Sequence, residues 1–177
     1  AGLLLLRDIA VSRRLAPLLD GVTILFIPLL NVDGHERFGP HSRINQNGPE
    51  EMGWRTTPVG LNLNRDYLKA ESPEMQAMLG NVYTAWWPDL LVDNHTTDGA
   101  DYRHDVTFGW PHGAGCPPPV ERWMREAFEG RVWKRLEAMG HLPAPYVSFR
   151  QGHDPLSGID FGNAPGRFSN GYTLLHG

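Results

Sequence analysis

His95 stands at the end of an apolar run, and carboxylates flank it on both sides. The stretch DLLVDNHTTDGADY (89–102) places Asp93 two residues before it and Asp98 and Asp101 after it. An imidazole can bind a metal or exchange a proton near neutral pH. On an extended chain Asp93 shares a face with His95, so it can accept one ring N–H and orient the other nitrogen, as metal-bound histidines require. The plainer alternative is a histidine hydrogen-bonded at a strand end, and the residues leave both readings open. A second group is LNLNRDY (61–67), which sets Asn64 beside Arg65. A planar guanidinium fork next to an amide suits a carboxylate, which arginine grips through two parallel hydrogen bonds. The alternatives are a solvent-facing arginine or one paired with Asp66. A local metal site from His95, Asp98, Asp101 and His104 is a further arrangement, although its spacing is irregular for a strand end.

Elements that could position these groups follow from periodicity. In GLLLLRDIAVSRRLAPLL (2–19), Leu3, Leu6, Ile9 or Ala10, and Leu15 fit one face of a helix, ended by Asp20-Gly21. VTILFIPLLN (22–31) is a nearly continuous apolar run, the pattern of a central strand covered on both faces, and Asn31, Asp33 and Gly34 supply a turn after it. Residues 34–65 lack periodicity and read as a long loop, a kind of segment that is often functional. Ser72, Pro73 and Glu74 open a helix as N-cap, first helical residue and first-turn acid. Met75, Met78, Leu79, Val82 and Trp86 follow at helical spacing, and Pro88 closes the segment. DLLVDNH (89–95) reads as a second buried strand. A long helix covers 119–139, with Val120, Trp123, Met124, Phe128, Val132, Leu136 and Met139 inward and Gly140 as its cap. YVSF (146–149) reads as a short strand. Strand, helix, strand indicates an α/β domain, in which ligands gather beyond the carboxyl ends of the strands. The Asn31/Asp33 and Asp93/His95 clusters fall at those ends.

The 177 residues suffice for one domain, and we read them as one, 1–177. Hydrophobic residues make up 41% and charged residues 20%, a globular balance. With a net charge of −4 and no basic block, nucleic acid is not expected as a partner. GLLLL is too short to span a bilayer. The single cysteine, Cys116, excludes an internal disulfide and a four-thiolate zinc site. Tryptophans at helical spacing, such as Trp86 and Trp123, read as core rather than as a sugar-binding face.

Taken in order, NVDG (31–34), LNLNRDY (61–67) and LLVDNHTTDG (90–99) resemble the zinc metallocarboxypeptidase family, and SGIDFG (157–162) resembles a substrate-side loop. Val32 stands where the family carries proline. The resemblance implies an α/β fold, a mixed and mostly parallel sheet between helices, present here in part. It implies one Zn2+ and a peptide substrate with a free C-terminal carboxylate. By position, His95 resembles a zinc ligand with Asp93 behind it. Asn64 and Arg65 resemble the pair that holds the substrate carboxylate, Arg43 or Arg55 the arginine that polarises the scissile carbonyl, and Tyr146 a tyrosine that closes over substrate. The family's His-x-x-Glu pair has no match, since no histidine here has Glu three residues on. That pair is expected before Ala1 and the catalytic glutamate after Gly177, so the chain reads as a segment of a longer enzyme, inactive and a poor zinc binder by itself. An extracytoplasmic location is common in the resembled family. Two rival readings stand beside the peptidase: a zinc-dependent deacylase of the desuccinylase kind, and a non-catalytic carboxylate-binding domain.

Overall fold

The computed structural model describes residues 2–96, 101–113, 115–151, 154–160 and 168–176. They mix helix and strand. The helices are α1 (Gly2–Leu6), α2 (Val32–Glu36), α3 (Pro73–Met78), α4 (Pro118–Ala127), α5 (Lys134–Ala138) and α6 (Ser169–His176). The strands are β1 (Val106–Phe108), β2 (Pro143–Pro145), β3 (Ser148–Gln151) and β4 (Asp154–Asp160). β1 pairs with β2 in parallel, and β3 pairs with β4 antiparallel. The fold class expected from the sequence is therefore present, with its described sheet divided into two pairs.

The two buried strands expected at 22–31 and 89–95 are not formed. Both stretches lie in no strand pair among the described residues. Much of their apolar surface faces outward: Ile24, Leu25, Ile27, Leu29, Leu90 and Val92 are exposed, while Leu30 packs against the core. An apolar run specifies a central strand only where hydrogen-bonding neighbours and a covering layer meet it, and the described residues bring neither to these stretches.

The helix starts fare better. Ser72 Oγ accepts from the Met75 amide at 3.2 Å with Pro73 at the first helical position. The helix runs on through a wider π-type turn, Leu79–Thr84, and stops where Trp87 takes φ 47° ahead of Pro88. At the N-terminus α1 widens into Arg7–Val11, and a 3₁₀ turn follows at Ala16–Asp20, so the expected single helix is two pieces. Ile9 is buried and Leu3 exposed.

The long helix at 119–139 is seen as α4 and α5 joined by a π-type turn, Phe128–Trp133, and Gly140 ends it at φ 86°. Its inner face is narrower than expected. Val120, Trp123, Val132 and Met139 are exposed, whereas the rings of Phe128 and Trp133 meet Phe108 of β1 at 5.7 and 5.5 Å. Those two positions are five apart, the spacing that a π-type turn brings onto one face.

The core lies between the 62–67 turn and α3. Leu63, Tyr67, Met75 and Met78 are buried together, and Leu30, Tyr83 and Tyr172 pack against them. Asp66 fastens the turn to the helix start. One carboxylate oxygen accepts from the Glu71 amide at 2.9 Å, and the other from the Ser72 amide and hydroxyl at 2.8 and 2.7 Å. Burial alone would push its pKa up, but these hydrogen bonds outweigh that and hold the carboxyl below the ordinary aspartate range. No described helix is long and apolar enough to cross a membrane.

Candidate functional site

Asn64 and Arg65 sit on a tight 3₁₀ turn, Leu63–Arg65, opened by the Asn62 side chain, which accepts from the Asn64 amide at 3.1 Å. Leu63 and Tyr67 on either side are drawn into the core, and this anchorage turns the polar pair away from it. The Asn64 side chain lines a cleft of about 360 Å3. Its oxygen is buried and meets no hydrogen-bond partner among the described residues.

Arg43, Arg55, Asp93 and His95 line the same cleft. Residues from the 43–64 segment and from Asp93 and His95, some thirty positions on, thus meet at one depression. Among its lining side chains are two guanidinium groups against one carboxylate, a balance that favours an anion. A smaller cleft adjoins it, also lined by Arg43 and Thr96.

Arg55 is set by the turn at Asn31. The Asn31 side-chain oxygen accepts from the Gly34 amide at 3.1 Å, capping α2, while Nδ2 donates toward the carbonyls of Trp54, Arg55 and Thr56. The Trp54 amide returns a hydrogen bond to the Gly34 carbonyl at 2.7 Å.

His95 Nε2 lies 3.0 Å from Asp93 Oδ2, and the Ser169 hydroxyl donates to that oxygen at 2.6 Å. Burial raises the Asp93 pKa, and the bonds from His95 and Ser169 together outweigh it, so the net shift is downward. An ionised Asp93 is an acceptor only. Nε2 therefore carries a hydrogen, and Nδ1 is the ring nitrogen that faces no carboxylate in this contact.

Arg65 is not among the residues lining the cleft. Its guanidinium carbon lies 3.9 Å from the centre of the Phe168 ring, and Nη1 donates to the Asn64 carbonyl at 2.6 Å. Asp66 is occupied by Glu71 and Ser72, as described above. Tyr146 is not brought to the cleft: it follows β2, its amide donates to the Phe108 carbonyl at 2.9 Å, and its side chain is exposed. Asp98 lies outside the described residues, as does the end of the 157–162 loop.

Phe168, Ser169 and Tyr172 were not legible as site neighbours. They approach through the fold from 76 residues beyond Asp93 in the case of Ser169, and no spacing rule reports such a contact. Tyr67 was within reach of pattern reading, because Leu63 and Tyr67 are an i, i+4 apolar pair beside the polar Asn64-Arg65.

The family model described as zinc carboxypeptidase matches residues 3–103, more than half of the chain, and the chain belongs to that family. No curated protein and no solved structure matches it.

The family implies Zn2+. Among the described residues no group of three histidine, cysteine, aspartate or glutamate side chains could hold a metal. His95 leaves one ring nitrogen outside its contact with Asp93, and Asp93 is engaged by His95 and Ser169. These residues do not make a zinc site by themselves.

Proposed function

We propose that this chain carries the carboxylate-recognition part of a metallocarboxypeptidase, whose reaction is hydrolysis of the C-terminal peptide bond of a peptide. The observation that supports the reading is the convergence of Arg43, Arg55, Asn64 and His95 on one cleft, in a chain whose first 103 residues fall almost wholly within the family match.

In this reading the free carboxylate of the substrate meets the Asn64-Arg65 turn. Engaging Arg65 requires its guanidinium to leave the face of the Phe168 ring. Arg43 and Arg55 face the carbonyl of the scissile bond, where a guanidinium stabilises developing negative charge. His95 presents Nδ1 to a metal or a proton, with Asp93 holding the ring. A zinc centre that used His95 would need ligands other than those among the described residues. Tyr146 does not line the cleft, and the proposed reading rests on Asn64, Arg65, Arg43 and Arg55 without it.

Binding of N-acetyl-L-phenylalanine and of its C-terminal amide tests the reading without requiring turnover. The free acid is expected to bind at least tenfold more tightly, and Asn64→Ala and Arg65→Ala are expected to abolish most of that preference. Equal affinity for acid and amide would refute the reading. Tight binding of a blocked N-acyl group regardless of the C-terminus would favour a deacylase.

A further inference from the structure

We propose that Asn31 is a positioning residue for Arg55. Its side-chain amide holds the 54–56 backbone against the 31–34 turn and so fixes the direction from which the Arg55 guanidinium enters the cleft. The inference rests on the carboxylate reading only for its ligand; the geometry stands apart from it.

Asn31 Nδ2 lies 3.3 Å from the Trp54 carbonyl oxygen, 3.2 Å from that of Arg55 and 3.3 Å from that of Thr56. An amide nitrogen has two hydrogens, so three acceptors at nearly equal distance share them. The other end of the amide is committed too, with Oδ1 accepting from the Gly34 amide at 3.1 Å. This fixes the orientation. A reversed amide would set its oxygen against three carbonyls and its NH2 against an N–H.

The two backbone strips also touch directly. The Trp54 amide donates to the Gly34 carbonyl at 2.7 Å. A Cβ at Gly34 would fall 2.2 Å from Asn31 Nδ2 and 2.6 Å from the Trp54 oxygen, and a Cβ at Gly53 would fall 2.7 Å from the Gly34 oxygen. Glycine at both positions is what lets the strips approach closely enough for one short amide to reach three carbonyls. With the Arg55 carbonyl held, the orientation of its peptide plane is set at the edge of the cleft that Arg55 lines.

Asn31→Ser separates this role from simple capping. Serine caps a helix as well as asparagine does, but its side chain is too short to bridge to 54–56. Asn31→Asp serves as a second variant: it keeps the cap and the shape, and turns the donor into an acceptor. In hydrogen exchange of the intact chain, each variant is expected to speed exchange of the Trp54 amide at least tenfold while the Gly34 amide stays protected. In binding of N-acetyl-L-phenylalanine, Asn31→Ser is expected to weaken affinity about tenfold, and less than twofold when Arg55→Ala is already present. Unchanged Trp54 exchange in both variants overturns the inference, and so does an Asn31→Ser effect on affinity that persists undiminished beside Arg55→Ala. A wild-type chain that does not prefer the free acid defeats the carboxylate reading instead, and Trp54 exchange then still decides the role of Asn31.

Discussion

The Ser169 hydroxyl donates to Asp93 Oδ2 across 2.6 Å, tying the first turn of α6 to the carboxylate that holds His95. Tyr172 of the same helix meets Tyr67 and Tyr83 with ring centres 5.9 and 5.8 Å apart. Phe168, just before it, lies under Arg65. One short segment thus braces the imidazole, the core and the arginine together.

Ser169→Ala should uncouple this brace. A hydrogen bond to a charged group contributes about 1.5–3 kcal/mol when buried, and partial exposure of Asp93 reduces that. A double-mutant cycle of Ser169→Ala with Asp93→Asn, followed by chemical denaturation, is expected to give a coupling of about 1 kcal/mol. A coupling indistinguishable from zero would remove Ser169 from the site.

Acid stability should depend on Asp66. Its folded pKa is depressed below the ordinary value of 3.8. The unfolded chain therefore binds more protons as pH falls, and the stabilisation is fully present above the unfolded value and lost as pH drops through the folded one. Stability is expected to decline below about pH 4–5, given an unfolded pKa near 3.9. Asp66→Asn should flatten that decline and cost about 2 kcal/mol at pH 7, since an amide cannot accept from all three donors. Denaturation midpoints across pH 2–7 measure both effects; an unaltered acid limb in Asp66→Asn would contradict the assignment.

Tyr83 makes the opposite prediction. Its hydroxyl is buried with no hydrogen-bond partner among the described residues, and burial first, then the Asp93 charge, pushes its pKa up to about 12. Tyr83→Phe removes an unsatisfied polar atom and is expected to stabilise the chain by about 1 kcal/mol. It should also delete one late-titrating phenol from the alkaline absorbance curve. A loss of stability on this substitution would mean that the hydroxyl is bonded.

What the sequence made legible was local. Ser72-Pro73-Glu74 announced a helix start because a cap, a fixed φ and a first-turn acid all act within four residues. Gly140 announced an end because few residues other than glycine take φ 86° without strain. The runs at 22–31 and 89–95 misled because apolar composition shows what a strand requires on its faces and not whether neighbours arrive. Asn64 and His95 stand out by residue type as well as by the family resemblance, and Arg43 and Arg55 only by the resemblance. Their meeting at one cleft, and the standing of Arg65 and Tyr146 outside its lining, depend on non-local packing that no spacing encodes.

In the proposed reading the asparagine turn, a cleft arginine and the imidazole serve one ligand. Side-chain NMR of the intact chain during titration with N-acetyl-L-phenylalanine tests it most directly. The account predicts that the Asn64 amide, the Arg55 guanidinium and the His95 ring shift together with a single dissociation constant, and that the C-terminal amide of the ligand leaves Asn64 unmoved. Shifts confined to one of the three, or the same response to acid and amide, would contradict it.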